Sequence, residues 1–298
     1  MRDSQRGAAF IALVVLAVLW GYNWVVMKVA TEYAPPIEFA ALRLLLGALL
    51  LFAAMIAMRK SLRPERPWAY FWIGVFQSGG FIALATWAVM TAGAGKVSIL
   101  SYTMPLWVAV LAWPLLGERL RAMQGVAVGL AALGIVLILD LWGGQSSIFA
   151  DVIAIVAGIS WAIGVIITKR LHVNDGVDVL SLTTWQMLFG GIVVGIIALI
   201  VPEGATHWTW TYAGALAYNA VFASAIAYLL WIFVLRHMPA RDASMGTLAN
   251  PIIGIVAAWL QLGEAPSTME AIGMAIVVAA LVMLALTSGE QKRVADHE

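Results

Sequence analysis

"SILSYTMPLWVAVLAWPLLGE", residues 98–118, and "SMGTLANPIIGIVAAWLQLGE", residues 244–264, are two versions of one apolar segment. Aligned without a gap, at an offset of 146 residues, both begin with serine, carry a proline seven residues after it and end in Trp-x-x-Leu-Gly-Glu. The chain therefore carries the same proline-centred element in each of its halves.

The composition indicates which solvent surrounds these segments. Of the 298 residues, 63% are hydrophobic and 11% are charged, whereas soluble domains are roughly 45–50% apolar and about 25% charged. A soluble fold could not bury so much apolar surface. The net charge of +1 gives no sign of a nucleic-acid partner, and the absence of cysteine excludes disulfides and thiolate chemistry.

Ten apolar runs are long enough to cross a bilayer, which takes about 20 helical residues. They cover residues 8–28, 36–58, 68–90, 97–116, 122–140, 148–168, 179–201, 210–235, 242–262 and 268–287. Backbone groups in lipid must pair within their own segment, and the alternation of a membrane β-barrel is missing. We therefore expect an all-α integral membrane protein with ten transmembrane helices. A signal peptide is the alternative for the first run, but "WGYNW" follows it without a cleavage site.

Basic residues predict the orientation, because cytoplasmic loops retain Lys and Arg. With both termini in the cytoplasm, fourteen of the seventeen basic residues fall on the cytoplasmic side. Lys28 and Lys96 then lie near the outer ends of helices, and Arg43 lies inside the second span. The predicted location is the plasma membrane, the inner membrane in bacteria.

Further matches indicate that the whole chain is duplicated. "WGYNWVVMK" (20–28) corresponds to "WAIGVIITK" (161–169), "WAYFWIGVFQ" (68–77) to "WTYAGALAYN" (210–219), and "RLLLG" (43–47) to "QMLFG" (186–190). Each repeat has five spans, so the second half enters the membrane from the opposite side. We expect a first repeat at 1–143, an inverted second repeat at 144–290 and a cytoplasmic tail at 291–298. Inverted repeats are typical of secondary transporters, whose site lies near the midplane.

Two prolines lie near mid-membrane, Pro105 in the fourth span and Pro251 in the ninth. A proline lacks an N–H and frees the carbonyl four residues earlier, here those of Ser101 and Thr247, so we expect helix bends. Such a paired polar bend could line a substrate path. The alternative is that both prolines only shape helix packing.

Several polar or aromatic side chains at membrane depth are candidate substrate contacts: Tyr22, Asn23, Gln77, Ser101, Tyr102, Trp161, Asn219, Thr247 and Asn250. A buried amide is costly without a partner, so each should face another helix or water. For any one of them, hydrogen bonding between helices is an equal alternative to ligand contact.

Arg43 is the most unusual charge, because an intramembrane arginine is costly and is a functional candidate by default. It could hold a carboxylate or helix carbonyls, and the alternative is a structural anchor for its helix. Glu38, near the outer boundary, and Lys28 are the charged residues expected closest to it.

Enzymatic motifs are missing. All four histidines fall in loops or the tail, and neither H-E-x-x-H, G-x-S-x-G nor a nucleotide-binding P-loop occurs. We expect no catalytic residues, no metal site and no cofactor.

"WGYNWVVMK", Pro36 before "FAALRLLLGALL", "MPLWVAVLAWPLLGERL" before "GVAVGLAALGIVLI", and "NPIIGIVAAWLQLGEAPS" together resemble the two EamA-type repeats of the drug/metabolite transporter superfamily. The similarity covers nearly the whole chain and is greatest to the aromatic amino-acid exporter branch. The resemblance implies ten helices with cytoplasmic ends, two inverted five-helix halves around a central cavity, and metabolite transport, often export. Arg43 matches the arginine of the family's second-helix pattern.

The function expected from these observations is export of amino acids, aromatic or broadly apolar, by alternating access. A carrier of drugs or other small metabolites and a channel-like pore are the alternatives. Expected partners are the small-molecule substrate and the lipid bilayer, with no nucleic acid. The coupling ion and the oligomeric state stay open, a monomer included.

Overall fold

The computed structural model describes residues 2–118, 120–139, 148–170, 176–201 and 204–295, and its regular elements there are helical. Ten helices in these ranges have the length and hydropathy to cross a membrane, which confirms the ten predicted spans. The helices are α1 (Arg2–Ala30), α2 (Pro36–Ala57), α3 (Pro67–Thr91), α4 (Ala94–Ser101 and Met104–Leu116), α5 (Ala122–Leu139), α6 (Ile148–Arg170), α7 (Val179–Ile200), α8 (Trp210–His237), α9 (Ala240–Thr247 and Ala249–Leu262) and α10 (Thr268–Ala295).

The first and last helices extend beyond their apolar spans. α1 begins at Arg2 and α10 continues to Ala295, so the predicted tail is helical as far as that residue. Good helix formers such as Arg, Gln, Glu and Lys continue each helix out of the apolar layer. The predicted repeat boundary at 143/144 lies outside the described residues.

Large apolar side chains point outward along the bundle, as expected for a protein in lipid. Leu199 and Leu260 are 89% and 79% exposed, and exposed apolar surface on this scale marks contact with lipid or another protein. We call the face where α1 begins and α10 ends the terminal face, and the other the opposite face.

The helices pack according to an inverted two-fold pattern. α2 packs on α7 and α5 packs on α10, so each pair joins equivalent helices of the two halves. α1 packs on α9 and α8, and their equivalents α6, α4 and α3 make the corresponding contacts. Two inverted five-helix repeats therefore form one bundle.

Four helices are irregular at mid-membrane, and they form equivalent pairs. α3 and α8 contain π-helical segments, Gly74–Gly80 and Tyr218–Ile226. α4 is interrupted at 102–103 and α9 at Leu248, just before Pro105 and Pro251. Tyr102 and Leu248 are equivalent at the offset of 146 residues. Because proline cannot donate a backbone hydrogen bond, the helix weakens one turn before it.

The contact between α5 and α10 depends on two glycines. A Cβ added at Gly134 would lie 2.8 Å from the carbonyl oxygen of Gly273, and one added at Gly273 would lie 2.6 Å from that of Gly134. Small residues let transmembrane helices approach closely. Since the atoms in the way belong to the backbone, they cannot move aside cheaply.

We therefore predict that Gly134→Ala destabilises the protein by about 1–3 kcal/mol, the usual cost of overpacking. Gly129→Ala on the same helix is the matched control, because a Cβ there meets nothing within 4 Å. Thermal unfolding in detergent should show a lower transition temperature for the first variant and an unchanged or higher one for the second. Equal transition temperatures would contradict the glycine contact.

Candidate functional site

A cluster of aromatic and polar side chains lies midway along the helices that meet at the centre of the bundle. We call it the central cluster, and it consists of Trp20, Tyr22, Trp24, Arg43, Tyr102, Tyr218, Tyr228 and Asn250. These residues come from α1, α2, α4, α8 and α9, so both repeats contribute.

The two interrupted helices meet in this cluster. Asn250 Nδ2 on α9 donates a hydrogen bond to the hydroxyl of Tyr102 at 2.8 Å. Tyr102 lies at the interruption of α4, and its ring packs edge-on against Trp24 with 6.2 Å between ring centroids. Asn250 is 1% exposed, and its Oδ1 has no hydrogen-bond partner among the described residues. The meeting point therefore offers an acceptor that a polar solute could use.

Two hydrogen bonds join α1 to the π-helical segment of α8. Trp20 Nε1 donates to the carbonyl of Ala223 at 3.0 Å, and the Tyr218 hydroxyl donates to the carbonyl of Leu19 at 2.9 Å. In the other pair of helices, Ser160 of α6 donates to the carbonyl of Phe76 at 2.8 Å. Each π-helical segment is thus held by the first helix of the other repeat, and π-bulges are frequent at functional sites.

The Arg43 side chain is buried at the same depth. It is 5% exposed, its Nε has no hydrogen-bond partner, and no ion pair within the described ranges includes it. Tyr228 and Tyr218 are its electrostatic neighbours.

The charged residues expected near Arg43 form no ion pair with it among the described residues. Glu38 lies in the first turn of α2. Lys28 Nζ donates to the carbonyls of Val89, Met90 and Ala92 at distances of 2.9–3.2 Å, and so caps the end of α3. These cap bonds satisfy carbonyls that have no partner within their own helix.

A cavity of about 250 Å³ lies between α1, α8 and α9, in the half of the bundle near the opposite face. Tyr22, Tyr218 and Gln261 contribute its polar lining, with valines of α1 on the apolar side. The Tyr22 hydroxyl donates to Gln261 Oε1 at 2.7 Å. Tyr22 and Tyr218 therefore belong both to this cavity and to the central cluster.

The other predicted site residues have different neighbours. Gln77 packs its Cβ close to Gly164 on α6, and Asn219 Nδ2 donates to Ala215 within its own helix. Asn23 Nδ2 donates to the sulfur of Met27. Ser101 Oγ donates to Ala154 at 3.5 Å. These contacts join or stabilise helices.

Two further predicted residues are only partly buried. Trp161 lies on α6, and Thr247 lies at the end of the first segment of α9. Trp161 makes no hydrogen bond to the central cluster among the described residues.

The two membrane faces differ, although the repeats that form them are equivalent. All eight residues of Ala94–Ser101, the first segment of α4, are buried. Glu264 Oε2 accepts a hydrogen bond from the first backbone N–H of that segment, on Ala94, at 2.6 Å. A carboxylate at a helix N-terminus stabilises the helix end. The N-terminal end of α4 is therefore both buried and capped at the opposite face.

On the terminal face the equivalent contact is replaced. Glu118, the counterpart of Glu264, is 54% exposed and pairs with Lys169 at 3.2 Å. In the first segment of α9, Met245 is partly exposed, whereas its counterpart Ile99 is fully buried. The equivalent segments of the two repeats are thus buried to different extents at the two faces.

A buried ion cluster was not anticipated from the sequence. Lys96 Nζ lies 2.9 Å from Asp151 Oδ2 and 3.1 Å from Glu270 Oε1, and so joins α4, α6 and α10 at the opposite face. The sequence signal that could have predicted this cluster is a charged residue in the first turn of each of three helices that begin at this face.

Comparison with known proteins decides the family. The model of the EamA-like transporter family matches residues 7–140 and 148–286, which is one match for each five-helix repeat. The chain belongs to the EamA-like transporter family. It is accordingly a multi-pass membrane transporter and not an enzyme.

Relatives of this EamA-like transporter match over nearly their full lengths. The uncharacterized transporter YoaV of Bacillus subtilis is 26% identical over 95% of this chain and 98% of that protein. A probable amino-acid metabolite efflux pump of Salmonella typhimurium is 29% identical over 93% and 94%. The uncharacterized inner membrane transporter YedA of Escherichia coli is 26% identical over 96% and 93%. One solved crystal structure shares the fold with a TM-score of 0.67 at 18% identity, covering 96% of this chain and 99% of that one.

The Tyr102–Asn250 hydrogen bond can be tested by removing one hydroxyl from the transporter. Tyr102→Phe should destabilise it by about 1–3 kcal/mol, because a buried amide loses its partner. Tyr212→Phe is the matched control, since the Tyr212 hydroxyl is buried without a partner among the described residues. We expect a lower unfolding temperature only for the Tyr102 variant, and the reverse order would refute the assignment.

Proposed function

We propose that this transporter exports amino acids, aromatic or broadly apolar, by alternating access. The observation that carries the proposal is the central cluster, where aromatic rings surround unpartnered polar atoms on Arg43 and Asn250. Rings beside amides and hydroxyls suit an amphipathic solute, and mid-membrane sites on irregular helices are typical of secondary transporters. Relatives named as probable amino-acid metabolite efflux pumps, 28–29% identical, support this substrate class.

Substrate contact is proposed first for Tyr22, Tyr102 and Asn250, because each belongs to the central cluster. The remaining predicted residues are proposed as contacts during passage: Asn23, Ser101, Asn219 and Thr247 on helices of the central cluster, and Gln77 and Trp161 on α3 and α6. Pro105 and Pro251 are proposed to permit the bends about which the segments move.

The difference between the faces supports alternating access. Equivalent sequences adopt a buried arrangement around Glu264 and an exposed one around Glu118. Exchange of these two arrangements between the repeats would close the terminal face and open the opposite one. Such an exchange needs no new kind of arrangement, because each of the two arrangements is already present in one repeat.

We propose that the terminal face is cytoplasmic, because cytoplasmic loops retain Lys and Arg and most basic residues lie at this face. A relative is named as an inner membrane transporter, which agrees with a plasma-membrane location and the bacterial inner membrane in particular. In that orientation the more exposed arrangement, around Glu118, faces the cytoplasm, from which an exported solute would bind.

A carrier of drugs or other small metabolites is the second candidate within the same family. A channel-like pore is the third, and the unequal burial of equivalent segments at the two faces argues against it.

The test of function is counterflow into proteoliposomes. Vesicles loaded with unlabelled L-phenylalanine should accumulate labelled L-phenylalanine transiently, because only a carrier exchanges solute across a closed gate. Threonine, methionine, lysine and a cationic dye are the competitors. Competition by apolar amino acids is the expected result. Dye exchange without phenylalanine counterflow would transfer the assignment to a drug carrier, and flux without counterflow would indicate a pore.

The exchange of faces can be tested by thiol labelling, since the chain has no cysteine. Met245→Cys should react with an impermeant reagent applied from the terminal face, whereas Ile99→Cys should not react from the opposite face. Saturating phenylalanine should increase labelling of the Ile99 variant severalfold. Adding Glu264→Gln should also increase it, because the helix N-terminus loses its charged cap, while Glu118→Gln serves as the control. Labelling that substrate leaves unchanged would contradict alternating access.

A further inference from the structure

The guanidinium of Arg43 carries a charge that the protein itself leaves without a counter-ion. Its side chain is 5% exposed, and none of the ion pairs within the described ranges includes it. Nε has no hydrogen-bond partner. A buried charge without a partner is expensive, and intramembrane arginines normally face a partner, water or a pathway.

The acidic residues nearest in sequence or fold lie at helix ends and form no ion pair with Arg43 among the described residues. Glu38 lies in the first turn of α2, Glu264 caps α4, and Asp151 pairs with Lys96. Around Arg43 the electrostatic neighbours are Tyr228 and Tyr218, whose neutral phenols supply no negative charge.

The other repeat shows that this position does not need a charge for packing. Gln186 on α7 is the equivalent residue and is also buried, at 5% exposure. Its backbone packs on the π-helical segment of α3, just as α2 packs on that of α8. A neutral amide therefore fills the equivalent place in the same fold, so the positive charge of Arg43 serves another purpose.

The surroundings of Arg43 match an aromatic organic anion. Tyr228 is an electrostatic neighbour of both Arg43 and Tyr102, and Tyr102 accepts the hydrogen bond of Asn250. The Trp20 ring packs on Tyr228 with 5.7 Å between centroids. One cation, aromatic rings and an acceptor without a partner thus lie along one connected set of side chains. Arginine binds carboxylates through two parallel hydrogen bonds.

We propose that Arg43 is an anion subsite that binds the carboxylate of the transported solute, with the apolar part of the solute among the rings of Trp20, Tyr102 and Tyr228. This deepens the proposed function and rests on it for the choice of an amino acid. The subsite itself requires only that the solute carry a carboxylate.

The test begins with wild-type protein in detergent, titrated calorimetrically with four probes. These are L-phenylalanine, 3-phenylpropionate, which lacks the amine, and L-phenylalaninamide and 2-phenylethylamine, which lack the carboxylate. We expect both carboxylates to bind at least tenfold more tightly than the two probes without one. Equal affinity across the four probes, or preference for the two amines, would overturn the proposal without any mutation.

Variants then assign the preference to one residue. Arg43→Gln, which installs the residue type of the other repeat, should abolish the preference for carboxylates, and Arg43→Lys should retain part of it. Lys169→Gln removes a positive charge at an exposed ion pair and should leave the preference unchanged. A purely structural Arg43 would change the unfolding temperature but not the ranking of the probes, and that result would also overturn the proposal.

The two proposals fail separately. Arg43-dependent binding of 3-phenylpropionate without phenylalanine counterflow would support the anion subsite and refute amino-acid export. Phenylalanine counterflow whose substrate preference is the same in wild-type and Arg43→Gln protein would support export and refute the subsite.

Discussion

The structure depends on the requirement that every backbone polar group inside a bilayer finds a partner, because no water is available there. Regular helices meet it internally, but α3, α4, α8 and α9 depart from regular geometry at mid-membrane. Trp20 and Ser160 supply donors to the π-helical segments, each from the opposite repeat. Thr103 donates to the carbonyl of Leu100 at 2.6 Å where α4 is interrupted. Irregular backbone is thus confined to the place where both repeats can satisfy it, and the candidate site arises there.

The duplication accounts for the two-fold arrangement of helices at this centre, and sequence differences between the repeats account for its polar and charged residues. Tyr102 stands where the second repeat has Leu248, and Arg43 stands where it has Gln186. The first repeat therefore supplies Tyr102 and Arg43, and the second supplies Asn250 together with Tyr218 and Tyr228. At each of these two equivalent positions, packing tolerates either residue, whereas recognition of a solute needs the polar or charged residue in only one repeat. The ligand site can be asymmetric while the scaffold keeps nearly equivalent contacts.

Much of the fold was predictable because hydropathy is a local signal imposed by the solvent. The ten spans, their inverted arrangement and the depth of Arg43 follow from apolar length, repeat spacing and helical rise. Pairing between helices was not predictable in the same way, because it depends on how each helix is rotated about its axis. Lys96, Asp151 and Glu270 are remote in sequence and meet only because three helix starts converge.

The candidate site was predicted in part for the same reason. Tyr102 and Asn250 are joined by a hydrogen bond, whereas Gln77 and Asn219, chosen as buried amides, contact neighbouring or own-helix atoms. Tyr228 was not among the predicted substrate contacts, because a tyrosine in the middle of a helix is apolar enough for ordinary packing. Its position beside both Arg43 and Tyr102 became evident only in three dimensions.

Alternating access, as proposed, requires the two repeats to exchange the buried arrangement around Glu264 and the exposed arrangement around Glu118. Electron–electron distance measurements with spin labels on introduced cysteines test it most directly, one pair at Thr91 and Ala265 on the opposite face and one at Leu115 and Asp242 on the terminal face. Saturating substrate should lengthen the first distance and shorten the second in the same preparation. Distances that change in the same direction, or that stay fixed while solute is transported, would contradict the account.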